Sequence, residues 1–245
     1  LGLSRDPALQ RAATEAIQSE GVGAGASRLI SGTRPLHGTL ERALGAWLGR
    51  ERVLLYPSGF QANIAAVQAL ADRHTWVLAD RLIHHSLLVG IQATGAKLRR
   101  FQHNDLSDLE AQLQPARRDA PQRRLLVLSE SLFSMEGSSP DVAALAELCR
   151  GHGAALLLDE AHALGVLGEG GRGLGYGIQD ISVISGTFGK AFGSGGAFLA
   201  GNATVEFWLQ QRSGPIRYST ALATPLVAAA AAGLTAIQER GHERL

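Results

Sequence analysis

AALLLDE, residues 154–160, is an apolar run with no polar break that stops abruptly on two carboxylates, Asp159 and Glu160. Such a run reads as a strand buried on both faces, the kind that a parallel sheet covered by helices requires. Upstream lies a helical pattern at 140–151, with Pro140 suited to its first position. The alternation continues outward. Further short runs are RVLLY (52–56), TWVLA (75–79), KLRRF (97–101), RLLVLSE (124–130), ISVIS (181–185) and GAFLA (196–200). Helical patterns fall at 7–20, 38–49, 59–71, 85–94, 105–114, 203–212 and 223–240, with Ser58 and Asn202 as candidate caps. Strand and helix in alternation predict an α/β fold with a mainly parallel seven-stranded sheet flanked by helices.

Bulk properties narrow the function. The 245 residues are 45% hydrophobic, enough for a large core. A net charge of +1, from 23 basic and 22 acidic side chains, argues against a general nucleic-acid or acidic-membrane surface. The single cysteine, Cys149, excludes an internal disulfide framework and suits a reducing compartment. No apolar stretch is long enough to span a bilayer. The expectation is a cytoplasmic protein with no membrane or nucleic-acid partner. The chain starts on Leu1 and stops inside a helix-like segment, so it reads as part of a longer molecule.

Several glycine-containing motifs bear on nucleotide or phosphate binding. GVGAGA (21–26) fits the dinucleotide fingerprint G-x-G-x-x-A, but that motif works only between a strand and a helix, and here a helical pattern precedes it. A Walker A lysine at Lys190 would need Gly at 184 and Ser or Thr at 191, where Ile184 and Ala191 stand. YPSGFQAN (56–63) places a turn between a strand and a helix, so that free N–H groups and the helix dipole could face a phosphate; alone, it could equally be an ordinary cap. In LLLDEAHALG (156–165), Asp159 at the lip of a core strand is costly unless paired. It could cap a helix or pair with His162 on a metal, yet no third or fourth ligand stands at a suggestive spacing. A cationic ring nitrogen suits it better.

SGTFGKAFGSGGAF (185–198) holds one of only two lysines among the basic residues, Lys190. A buried lysine amine can lose its proton and form a Schiff base, which arginine cannot do. Flanking glycines and the aromatics Phe188 and Phe192 suggest a dry pocket with backbone room. An amine, a carboxylate for a pyridinium and a helix N-terminus for a phosphate are the three needs of pyridoxal 5'-phosphate (PLP).

Along nearly its whole length the chain resembles the α-oxoamine synthases, fold-type I PLP enzymes. The resemblance rests on GVGAGASRLISG, PLHGTLERALGAWLG, SGFQAN, ADRLIHHSLL, FQHND, ESLFSMEG, DEAHALGVLGEGGRG, SGTFGKAFGSGGAF and IRYSTAL, in family order. It implies that Lys190 binds the PLP aldehyde and later moves the substrate α-proton. It implies that Asp159 pairs with the ring nitrogen, His162 and Ser134 with the phenolic oxygen, and that His84 stacks on the ring, with His85 standing beside it. Backbone N–H groups of Gly59 and Phe60 and the Thr187 hydroxyl would hold the phosphate. Ser219 and Thr220 would reach a partner subunit's phosphate, which makes a homodimer with shared sites. The family joins an amino acid to an acyl-CoA with loss of CoA and CO2. TFGKAFGSGGAF, DEAHALGVLGEGGRG and RYSTAL lean toward L-alanine and a pimeloyl thioester, in biotin synthesis. On this reading residues 1–36 form an N-terminal helix and glycine-rich segment, 37–222 the PLP-binding large domain, and 223–245 the start of a helix toward a C-terminal small domain not in the chain. The alternatives are another α-oxoamine synthase activity or a non-catalytic PLP-fold remnant that serves as a dimer partner.

Overall fold

All seven apolar runs become strands in a computed structural model, which describes residues 2–241. In chain order the elements are α1 (Pro7–Glu20), α2 (Pro35–Leu48), β1 (Arg52–Tyr56), α3 (Gly59–Leu70), β2 (Trp76–Asp80), α4 (His85–Thr94), β3 (Lys97–Phe101) and α5 (Leu106–Asp119). They continue with β4 (Leu125–Glu130), α6 (Val142–Gly151), β5 (Ala155–Asp159), β6 (Val183–Thr187), β7 (Ala197–Gly201), α7 (Ala203–Arg212), α8 (Gly214–Tyr218) and α9 (Thr224–Arg240). One sheet runs β1-β7-β6-β5-β4-β2-β3, and only β7 is antiparallel to its neighbours. The expected mainly parallel seven-stranded α/β sheet is thus borne out.

Alternation along the strands sorts the core onto two faces. Leu55, Leu78, Val127, Leu156, Leu158, Ile184 and Phe198 pack under α2, α5, α6 and α9. Leu54, Val77, Leu126, Leu157, Val183 and Leu199 pack against α3, α4, α7 and α8. Where both faces are covered, the strands are mostly apolar and polar groups concentrate toward their ends, whereas the edge strand β3 (KLRRF) is largely exposed and carries Lys97, Arg99 and Arg100.

Three helix boundaries depart from the expected ones by two residues or more, and one helix, α8, has no expected counterpart. Helix α2 starts at Pro35, with Pro at its first turn and the His37 ring accepting from Arg34 N–H (3.0 Å). Helix α5 continues through Pro115 to Asp119, where Arg117 ties the last turn to the carbonyls of His152, Arg123 and Gly153. Pro140 precedes α6 rather than opening it, because Asp141 takes the cap and accepts from Ala144 N–H (3.0 Å). Helix α8 is too short to show a periodicity. The two proposed caps hold: Ser58 Oγ accepts from Gln61 N–H (3.3 Å) and Asn202 from Val205 N–H (2.9 Å). GVGAGA follows a helix, as the rejection of a dinucleotide loop required. Among the described residues no helix is long and apolar enough to cross a membrane.

Candidate functional site

The carboxyl ends of β4, β5 and β6 lie side by side, with the β1–α3 and β2–α4 turns beside them. This is where ligands bind in open α/β sheets. There they enclose a cavity of about 180 Å³ lined by Gly59, Phe60, Asn63, His84, Glu130, Asp159, Ala161, His162, Ser185, Gly186, Thr187 and Lys190. Seven of the ten residues singled out from sequence line it: Gly59, Phe60, His84, Asp159, His162, Thr187 and Lys190.

They arrive from several elements. Asp159 is the last residue of β5 and is 5% exposed. Its Oδ1 accepts from Ala161 N–H (2.9 Å) and its Oδ2 from the Asn63 amide (2.7 Å). His162 follows in the next turn; burial and the nearby Lys190 charge lower its pKa, so the ring is neutral. Gly59 and Phe60 open α3, and their N–H groups belong to the first turn, which has no helical acceptors. Thr187 ends β6, its hydroxyl donating to Gly196 O (3.1 Å). His84 caps α4 and is the imidazole brought to the cavity; His85 is exposed and does not line it.

Lys190 sits on the turn from β6 to β7. Gly193 N–H donates to Lys190 O (3.1 Å) and Ser194 N–H to Phe188 O (2.9 Å). Gly193 is obligatory here: its φ is +70°, and a Cβ would lie 2.5 Å from Ser4 N. The dry pocket expected around the lysine is not found. Lys190 is exposed, while Phe188 and Phe192 are fully buried and pack edge-to-face on each other (5.4 Å). The two rings anchor the turn in the core from below rather than walling off the amine. Three other residues lie outside the cavity lining. Ser134 is on an exposed stretch after β4; Ser219 is half-buried; Thr220 is exposed and forms a backbone bridge with Ser27.

Sequence reasoning missed the polar floor: Asn63, Ser86, Ser185 and Glu130. Asn63 lies on α3 among buried alanines, an anomaly on an apolar helix face that could have been noticed. Glu130 ends β4 and pairs in register with Asp159 on β5. It accepts from His84 N–H (2.6 Å). Burial, and then the Asp159 charge, push its carboxyl up to about 8. Glu130 therefore holds a proton in the native protein that the unfolded chain releases at its usual 4.5. Its contribution to stability is full below 4.5 and is lost as pH rises through about 8. Denaturant titrations across that window should show stability falling with pH. Glu130→Gln should flatten the slope, leaving the part due to Glu160, which is also raised, to about 7. An unchanged slope would show that Glu130 is ionised in the native state.

A primary amine, a buried carboxylate, a neutral imidazole and free helix N–H groups on one cavity suit a flat ring that carries an aldehyde, a basic nitrogen and a phosphate.

The chain matches the aminotransferase class I and II family over residues 1–244. It is 47% identical to an 8-amino-7-oxononanoate synthase of Chromohalobacter salexigens, covering 100% of this chain and 63% of that protein. A namesake from Alkalilimnicola ehrlichii is 44% identical, with 99% and 61% covered. Among solved structures, SPT with its PLP internal aldimine matches at 29% identity and a TM-score of 0.93, covering 100% of this chain and 61% of that one. An 8-amino-7-oxononanoate synthase from Francisella tularensis matches at 28% and 0.82, covering 99% and 68%. The chain spans about three-fifths of the length of the curated relatives it matches. The resemblance to α-oxoamine synthases is borne out by these relatives.

Proposed function

The chain belongs to the aminotransferase class I and II family, and from that premise we propose that it is the PLP-binding core of an 8-amino-7-oxononanoate synthase. The observation that carries the reading is the convergence of Lys190, Asp159 and the first turn of α3 on one cavity. The reaction joins L-alanine to a pimeloyl thioester and releases 8-amino-7-oxononanoate, CoA and CO2. Both reactants are water-soluble, which suits a cytoplasmic enzyme.

The residues fit the cofactor. When bound, PLP supplies an aldehyde that an amine can capture and a cationic ring that stabilises negative charge on the neighbouring substrate carbon. Lys190 supplies the amine, and once free it is placed to take the substrate α-proton and return it after decarboxylation. Asp159 holds the protonated ring nitrogen; its two oxygens already accept one N–H each and keep lone pairs for a third donor. His162 would partner the phenolic oxygen and His84 would stack on the ring. The N–H groups of Gly59 and Phe60, with Thr187, hold the phosphate. Ser134, which lies outside the cavity lining, would join His162 at the phenolic oxygen only if its loop moved inward. Ser219 and Thr220 serve the partner copy's phosphate in a homodimer.

The test is CoA release by the whole protein with PLP. Release with L-alanine and pimeloyl-CoA, and not with L-serine and palmitoyl-CoA or glycine and succinyl-CoA, is expected. Release only with another pair would assign a different family activity. No release with any pair would make the chain a non-catalytic partner.

A further inference from the structure

Three buried polar side chains beneath the cavity, Asn63, Ser86 and Ser185, join Asp159 to His84 in a continuous chain of hydrogen bonds that no step above has used. Asn63 stands at its centre, 3% exposed, on the second turn of α3. Its amide oxygen accepts from Ser185 Oγ (2.6 Å). Its amide nitrogen donates to Asp159 Oδ2 (2.7 Å) and to Ser86 Oγ (2.9 Å). The amide has one productive orientation, because a flip would set its oxygen against the Asp159 carboxylate and its NH2 against a hydroxyl that already donates. The Ser86 hydroxyl, having accepted from Asn63, donates its own proton to His84 Nδ1 (2.6 Å), and Ser86 N–H points to the same atom (3.3 Å). Nδ1 is therefore an acceptor, and the neutral His84 ring carries its hydrogen on Nε2.

We propose that Asn63 is a positioning residue that couples Asp159 to His84, holding the ring-nitrogen partner directly and the ring-stacking imidazole through Ser86. The inference rests on the PLP reading above. It explains why an amide sits among Ala62, Ala65 and Ala66, all 0% exposed. A helix that needed only to pack would carry an apolar residue there. The amide is suited to the task because it is a double donor and an acceptor at once, and all three capacities are used. Leucine matches its shape and offers none of them. Aspartate could still accept from Ser185 but would set a second carboxylate against Asp159.

The two arms make different demands on the experiment. In the whole protein, Asn63→Leu should weaken PLP binding about ten-fold or more, the loss expected when a charged group loses a buried donor. It should also shift the pH at which the bound-cofactor absorbance changes, a signature that a general loosening of the fold would not produce. Ser86→Ala should leave PLP affinity within about two-fold and raise KM for the amino acid with less effect on kcat, since it frees only the His84 arm. Ser185→Ala keeps the bulk of Asn63 and releases only its anchor, so it reports the same effect in weaker form if Asn63→Leu fails to fold. Unchanged PLP affinity and absorbance profile in either folded Asn63→Leu or Ser185→Ala would overturn the coupling. If the unsubstituted protein binds no PLP, the cofactor reading itself falls, and the assignment of Asn63 falls with it.

Discussion

Lys190→Ala should abolish turnover in the whole protein, with a fall of about 10⁴-fold or more, the upper range for removing a positioned acid–base group. The loss is expected to be this large because the amine has two jobs, capturing the aldehyde and carrying the α-proton. Among the described residues no other amine lines the cavity. Lys97, the second lysine, sits on the edge strand β3 with its ammonium over the Trp76 ring (4.8 Å) and does not line the cavity. Lys97→Ala is therefore the matched control and should leave turnover unchanged. Folding is not at stake at position 190: the side chain is exposed, and the turn is held by backbone bonds and by the buried Phe188 and Phe192. A thermal melt superimposable on that of the unsubstituted protein should accompany the lost activity. Turnover within ten-fold of the original would remove Lys190 from the mechanism.

Asp159→Asn should cost about 10²–10³-fold in turnover and weaken PLP, in line with leaving a charged partner without its counter-ion in a buried setting. The replacement is nearly the same size but has the wrong polarity. One oxygen of Asp159 accepts from Ala161 N–H and the other from Asn63. An asparagine must turn its NH2 toward one of those donors, and whichever oxygen survives cannot balance a cationic ring. Asp159→Glu keeps the charge but lengthens the arm by one methylene, and should recover part of the loss. Equal activity of Asp159→Asn and the unsubstituted protein would mean that the ring nitrogen has no need of a charged partner.

Much of this was legible in the residues. Most strands are legible as apolar runs bounded by turn signals, because a strand covered on both faces leaves few polar positions inside it; the edge strand β3, with Lys97, Arg99 and Arg100, is the exception. The site residues that stand at strand ends or helix starts, Asp159, Thr187, Gly59 and His84, were legible for a related reason: a polar group at the edge of an apolar element has a local signature. Ser86 and Ser185 have none, since their meaning comes from separate elements meeting, and Asn63 and Glu130 have only a faint one. In AALLLDE and RLLVLSE the same ending, a carboxylate at the close of a core strand, hinted at Glu130, and the parallel register of β4 and β5 makes the hint physical. The environment of Lys190 is not legible in the sequence, because neighbours along a tight turn are not neighbours in space. On a tight turn Phe188 and Phe192 point into the core while the residue midway between them points out.

The central claim is that one amine, Lys190, captures PLP opposite Asp159. Borohydride reduction of the whole protein with PLP, followed by peptide mapping by mass, tests it most directly. A single reduced pyridoxyl adduct on Lys190 is expected, with Lys97 unmodified. An adduct on Lys97 alone, or none on either lysine, would contradict it.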